Sequence, residues 1–133
     1  MGYVLDTGFL VDLLRSDPAA KKKARELDGR REPKVMTTPV LYEVLAGLLY
    51  TRSRSEAAAF QQLSAGYVLA PFDEGAASKA AEIRAELMRL GRVKSHVDTM
   101  IAGIASAGRH TLITRDSDFA EIRAAMGLLL ETY

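Results

Sequence analysis

The sequence predicts an α/β/α sandwich built on a parallel sheet, and three observations carry that prediction. Short apolar runs alternate along the chain with longer segments of helical character. The runs are apolar at consecutive positions, as in Tyr3-Val4-Leu5 and Leu112-Ile113, which suits strands covered on both faces. Nowhere do the 133 residues contain a linker, a low-complexity tract or a credible internal repeat, so one domain over 1–133 is expected.

Residues 2–5 read as the first strand and residues 7–14 as a short helix. Asp17-Pro18 has the form of an N-cap followed by a first-turn proline, opening a helix to about Leu27 that Asp28-Gly29 ends. Val35-Met36 is a very short second strand. Thr38-Pro39 repeats the cap-and-proline signal and opens a helix to about Tyr50. Residues 54–64 are rich in alanine and favour helix. Gly66 breaks that pattern, and residues 67–70 give a third strand closed by Pro71. Asp73 can cap a long helix from 74 to about 90, with Gly91 at its end. A further helix spans about 96–107 and stops at Gly108. Residues 111–114 form the fourth strand, a short helix starts at 118, and residues 127–130 form the fifth strand.

Composition narrows the chemistry. The chain has no cysteine, so disulfides and thiolate metal sites are excluded, and its two histidines, His96 and His110, are too far apart to suggest a zinc site. No apolar stretch approaches the roughly 18 residues of a membrane span, and no export leader is visible; a cytoplasmic protein without membrane association is expected. Net charge is only +1, but basic residues cluster at Lys21, Lys22, Lys23 and Arg25, at Arg30, Arg31 and Lys34, and at Arg84, Arg89, Arg92 and Lys94. Such runs are ordinary solvated helix faces unless the fold gathers them to one side, where they suit a polyanion.

The acids are more informative. In open parallel sheets, sites form beyond the carboxyl ends of the strands. Asp6 directly follows the first strand, and Asp116 and Asp118 follow the fourth. Glu43 and Asp98 lie in helices, flanked by aliphatic residues in TTPVLYEVLAGLL and SHVDTMIAGIASAG. Each also has a local explanation. Asp6 can cap the helix that begins at Thr7, Asp116 can serve a turn, and Ser95/Asp98 and Asp118/Glu121 have the spacing of capping boxes. Glu43 lies a full turn past Thr38 and gains little from its helix end. If the acids converge, repulsion of about 4 kcal/mol for a pair 4 Å apart demands protonation or a cation. Oxygen ligands alone select hard ions, Mg²⁺ or Mn²⁺, which activate water against phosphodiesters.

Together VLDTGFLVDLL, TPVLYEVLAGL, HVDTMIAGIA and LITRDSDF resemble the PIN-domain nucleases, and within them the VapC-type toxins of toxin–antitoxin pairs. The four motifs run from residue 3 to 119, nearly the whole chain. The resemblance implies a PIN-like α/β/α sandwich with a short-stranded, mainly parallel five-stranded sheet. It implies Asp6 and Asp98 as metal ligands, Glu43 as the helix glutamate completing the pocket, Asp116 as the acid after the Thr-Arg pair, and Asp118 as a further acid of less defined role. Thr7 and Thr114 match hydroxyl positions that orient ligands or water. Gly8 departs from the family, which often carries Asn or Ser there.

The same resemblance implies a Mg²⁺- or Mn²⁺-dependent endoribonuclease leaving 5′-phosphate and 3′-hydroxyl ends, a homodimer, and an antitoxin partner whose C-terminal segment covers the pocket. Arg115, beside Asp116, is placed to meet a phosphate, and the Arg84–Lys94 group to line a groove for single-stranded RNA. The apolar segments 41–50 and 54–63 are candidates for partner contacts. Three other readings compete. A haloacid-type phosphatase needs a second Asp where Gly8 stands. A receiver domain needs a late lysine, and none follows Lys94. A catalytically silent PIN fold that only binds RNA or a partner is disfavoured by the intact acids.

Overall fold

A computed structural model describes residues 1–133. Five strands, β1 (Tyr3–Leu5), β2 (Lys34–Thr37), β3 (Val68–Ala70), β4 (Thr111–Ile113) and β5 (Leu130–Glu131), form one sheet in the order β3-β2-β1-β4-β5, every pair parallel. Seven helices connect them: α1 (Thr7–Leu14), α2 (Pro18–Asp28), α3 (Thr38–Thr51), α4 (Arg54–Ser64), α5 (Glu74–Arg89), α6 (His96–Ala107) and α7 (Asp118–Met126). From β1 the chain steps outward through β2 to β3, then returns across the sheet to β4 and on to β5. Right-handed crossovers therefore place α1–α4 on one face and α5–α7 on the other. The packing agrees: α1 touches α2, α3 and α4, while α5 touches α6 and α7. The direction reverses between β1 and β4, which makes the gap beyond their carboxyl ends the switch point of the sheet.

Most element boundaries follow local chemistry. Asp17, Asp73 and Ser95 cap α2, α5 and α6 by accepting from Ala20 N (3.0 Å), Ala76 N (2.9 Å) and Asp98 N (3.1 Å). Gly91, at φ +67°, follows α5 in the left-handed region that glycine enters without a Cβ clash. Three expectations shift. The cap of α3 is Thr37, whose hydroxyl accepts from Val40 N, while Thr38 Oγ1 accepts from Phe72 N and ties α3 to the end of β3. The fifth strand lies at Leu130–Glu131 rather than at 127–130, because Gly127 at φ +72° terminates α7. Finally, β3 is not covered on both faces: it is the sheet edge, with Val68 and Leu69 about half exposed.

The core sits on both sides of the three inner strands. Val4, Leu5, Val35, Leu112 and Ile113 are almost wholly buried, with Phe9, Leu10 and Leu27 from α1 and α2, and Ile83, Leu87, Ile101, Phe119 and Ile122 from α5–α7. Helix α6 carries six buried residues and is pressed against α5. At Gly103 the approach is closest: a Cβ there would lie 2.7 Å from Ala76 O and 2.7 Å from Ala80 Cβ. Gly103→Ala should therefore lower unfolding stability by about 1–3 kcal/mol through overpacking. On the exposed side of α3, Gly47→Ala meets nothing within 4 Å and should be neutral or slightly stabilising. Urea denaturation of both variants checks this; equal effects would contradict it.

Candidate active site

Asp6 is the residue at which β1 becomes α1. Its backbone N–H still donates to Ile113 O on β4 (3.1 Å), while its side chain caps the helix by accepting from Thr7 N through Oδ1 (2.9 Å). The other carboxylate oxygen accepts from Thr114 Oγ1 at 2.7 Å, just past β4. Thr114 Oγ1 accepts in turn from Asp116 N (3.0 Å), and Asp116 Oδ1 accepts from Asp118 N (2.9 Å), an Asx turn that leads into α7. The turn and cap explanations thus hold for Asp116 and Asp6, yet both acids also face the switch point.

Asp98 arrives from the first turn of α6 and Glu43 from the second turn of α3. Glu43 Oε1 accepts from Thr7 Oγ1 at 2.6 Å, which links α3 to the start of α1. Asp6, Glu43, Asp98 and Asp116 line one cleft of about 380 Å³ together with Thr7, Gly8, Asp12, Thr114, Arg115 and Tyr133. Asp98, Asp116 and Asp118 each place an oxygen within 4.8 Å of the others. Asp118 stands at the margin: it is not part of the cleft lining, and Lys94 lies 3.4 Å from its Oδ1. It is not the cap of α7 either. Ser117 occupies that position, and Glu121 turns to Lys94 and Arg92, so the 118/121 capping box does not form.

Electrostatics mark the cleft as a place short of positive charge. Asp6, 7% exposed, has its carboxyl pushed up from 3.8 to about 6, chiefly by burial, against the lowering bonds from Thr114 and Thr7; the like charges of Asp98 and Asp116 push the same way. Asp98 is also raised, first by burial and then by Asp116, Asp118 and Glu43, with the Ser95 bond acting in the opposite sense. Asp98 thus feels all three of the other motif acids on α3 and after β4. Helix N-termini of α1, α6 and α7 meet here and offer partial positive charge. Every candidate donor is an oxygen, which fits a hard divalent cation and no softer metal. A side chain in place of Gly8 would begin 3.9 Å from Asp6 Oδ2, so the departure at this position leaves that oxygen to Thr114 alone.

At the rim, Arg115 stands beside Asp116 as expected, but its partners come from distant parts of the chain. Arg115 is half exposed, 2.8 Å from Asp12 Oδ2, and lies over the Tyr133 ring at 5.1 Å; Tyr133 OH donates to the same Asp12 oxygen at 2.5 Å. No local signal pairs residues so far apart. The basic runs also divide differently from expectation. Lys23 is buried against Glu131 (2.5 Å), which also takes a two-pronged contact from Arg30, and these cations hold Glu131 down to about 2. Arg84 donates to Lys94 O (3.0 Å), Arg89 pairs with Glu86, and Lys94 and Arg92 pair with Glu121. Within the Arg84–Lys94 group, Lys94 is therefore tied into an internal ion pair, while Arg89 and Arg92 stay largely exposed in surface pairs.

A doubly wound parallel sheet with an acidic cleft at its switch point is the class of structure these features define. The chain belongs to the PIN domain family, whose model matches residues 3–125. Its fold is similar to a chain of the VapBC2 complex from Rickettsia felis bound to a promoter DNA fragment (TM-score 0.85, 23% identity, 100% of this chain and 99% of that one). It is also similar to a chain of DNA-bound VapBC from Salmonella typhimurium (0.82, 23%, 99% and 98%). A third neighbour, from VapBC-5 of Mycobacterium tuberculosis, is 28% identical with a TM-score of 0.73 over 98% and 96% of the two chains. No curated protein matches in sequence. Membership of this family removes the phosphatase and receiver readings.

The raised carboxyl of Asp6 has a measurable consequence. The folded protein keeps a proton that the unfolded chain releases between about pH 4 and 6, so metal-free stability falls as pH rises through that window. Asp6→Asn removes this penalty. The variant should be more stable than the parent by about 1–3 kcal/mol near pH 7.5 and about equal near pH 3.5. Urea denaturation in chelator measures it; a variant less stable near pH 7.5 would contradict the assignment.

Proposed function

We propose that this protein is a metal-dependent endoribonuclease and the toxin of a toxin–antitoxin pair, acting in the cytoplasm. The observation that carries the reading is the meeting of Asp6, Glu43, Asp98 and Asp116 on one cleft at the sheet's switch point. Asp6 and Asp98 would hold Mg²⁺ or Mn²⁺, with Asp116 and Glu43 completing the oxygen set directly or through water. The ion, when bound, supplies Lewis acidity to the phosphate and lowers the pKa of water.

The chain's own groups do the remaining work. Thr114 and the Thr7 N–H fix the Asp6 carboxylate so that both of its oxygens keep their orientation. Glu43, exposed at the cleft and held by Thr7, is placed to take a proton from the attacking water. Arg115, whose guanidinium rests on Asp12 and Tyr133, can turn its exposed face to a neighbouring phosphate. The attacking water would lose a proton to Glu43 as it bonds to phosphorus, the bond to the 3′ oxygen would break, and that oxygen would take a proton from solvent water, leaving 5′-phosphate and 3′-hydroxyl ends.

Partners follow the same reasoning. The neighbours are chains of VapBC complexes. Here α3 leaves Tyr42, Leu45, Leu49 and Tyr50 exposed, and beside them Val11, Leu14, Val44 and Leu48 form an apolar groove with Glu43 on its wall. These features support a homodimer contact through segment 41–50 and an antitoxin segment lying along α3 and α4 towards the acids. In the 54–63 segment Phe60 is core, while Ala57, Ala58 and Ala59 are exposed.

Purified protein should cut single-stranded RNA with Mg²⁺ or Mn²⁺ and stop in excess chelator. Asp6→Asn and Asp98→Asn should each lower kcat by more than about 100-fold while circular dichroism stays unchanged. In the same assay Arg115→Ala should raise KM more than it lowers kcat. Undiminished cleavage in both acid variants would contradict the proposal. Growth arrest on expression, relieved by Asp6→Asn and by the product of an adjacent small gene, tests the toxin assignment separately.

A further inference from the structure

Five acids approach the candidate centre, and one of them already has a cation from this chain. Lys94 precedes the Ser95 cap in the connection from α5 to α6, and its side chain is only 13% exposed. Its ammonium lies 3.4 Å from Asp118 Oδ1 and contacts Glu121 on the next turn of α7. The connection is fixed from behind, because Arg84 on α5 donates to Lys94 O at 3.0 Å, and Arg92 stands 3.6 Å from Glu121. Asp118 is also one of the three acids whose oxygens fall within 4.8 Å of one another. A divalent ion touching Asp98, Asp116 and Asp118 together would thus sit within one carboxylate of a partly buried ammonium.

Resting on the metal-centre reading above, we propose that Lys94 keeps Asp118 as its own ion partner and limits the resting pocket to one divalent ion, held on the Asp6–Asp98 side. Lys94 and a second ion would compete for the same carboxylate. A carboxylate shared with an ammonium is a poorer ligand, and an ion placed there is repelled by the ammonium beside it. Lys94 is tethered, so it occupies the position without being diluted away, whereas an ion must be drawn from solution. It is a positioning residue: it touches Asp118 and Glu121, not the reacting atoms. On the opposite rim, Arg115 is matched with Asp12, which leaves Asp6, Glu43, Asp98 and Asp116 as the acids with no cation of the chain within ion-pair distance.

Lys94→Met keeps most of the stem and removes the charge. Mn²⁺ titrated into metal-free protein, followed by calorimetry and by electron paramagnetic resonance of the free ion, counts the sites. The parent should bind one ion. Lys94→Met should bind a second, or bind the first at least about tenfold more tightly; Lys94→Arg should match the parent, and Lys94→Met with Asp118→Asn should return to one ion. Asp118→Asn alone should leave the parent's count and affinity within about twofold, and this arm stands even where Lys94→Met fails a thermal-melt check in chelator. One ion of equal affinity in parent and Lys94→Met, or a large loss of affinity in Asp118→Asn, overturns the proposal while leaving the metal centre in place. No ion bound by the parent or by Lys94→Met removes both.

Discussion

A carboxylate kept out of water at the end of β1 constrains everything built around it. Asp6 has two firm donors, Thr7 N–H and the Thr114 hydroxyl, and those bonds alone do not offset its burial beside Asp98 and Asp116. Three helix N-termini add partial positive charge, yet the carboxyl still sits near 6. On the proposed function, a divalent cation would supply the missing positive charge, where the metal-free cleft has only protons to offer. The same shortage of positive charge underlies both the expected loss of metal-free stability as pH rises and the proposed affinity for a cation.

The sheet order explains why these acids meet at all. Residues 6 and 114 are far apart in sequence, but β1 and β4 are adjacent, so their carboxyl ends place Asp6 and Thr114 in hydrogen-bonding contact. The crossovers leave on opposite faces, which opens the gap that α6 and α3 enter with Asp98 and Glu43. Cations flank the gap without entering it: Arg115 rests on Asp12 and Tyr133, and Lys94 on Asp118 and Glu121. Close packing of α5 on α6 at Gly103 then holds the Asp98 helix in place behind the site.

Much of this was legible in the sequence where the cause is local. Asp17-Pro18, Asp73 and Ser95 announce helix starts because a cap needs only its own next three residues. The order of the acids relative to strand ends was legible for a similar reason. Where two chemistries compete locally, the reading slipped: Thr37 and Thr38 are both competent caps, and GLLL at 127–130 has strand composition although Gly127 stops a helix. Pairings across the fold were not legible. Lys23 and Arg30 look like solvated charge until Glu131 is brought beside them, and Lys94 looks like groove lining until α7 presents Glu121. A basic run states how many cations are present; only tertiary contacts state which remain free.

Crystals grown with Mn²⁺, measured for its anomalous scattering, give the most direct test of a cation held by converging carboxylates. The account predicts a peak within about 2.0–2.3 Å of oxygens from both Asp6 and Asp98. Absence of a peak in that cleft at saturating Mn²⁺, or a peak bound only by surface acids elsewhere, would contradict it.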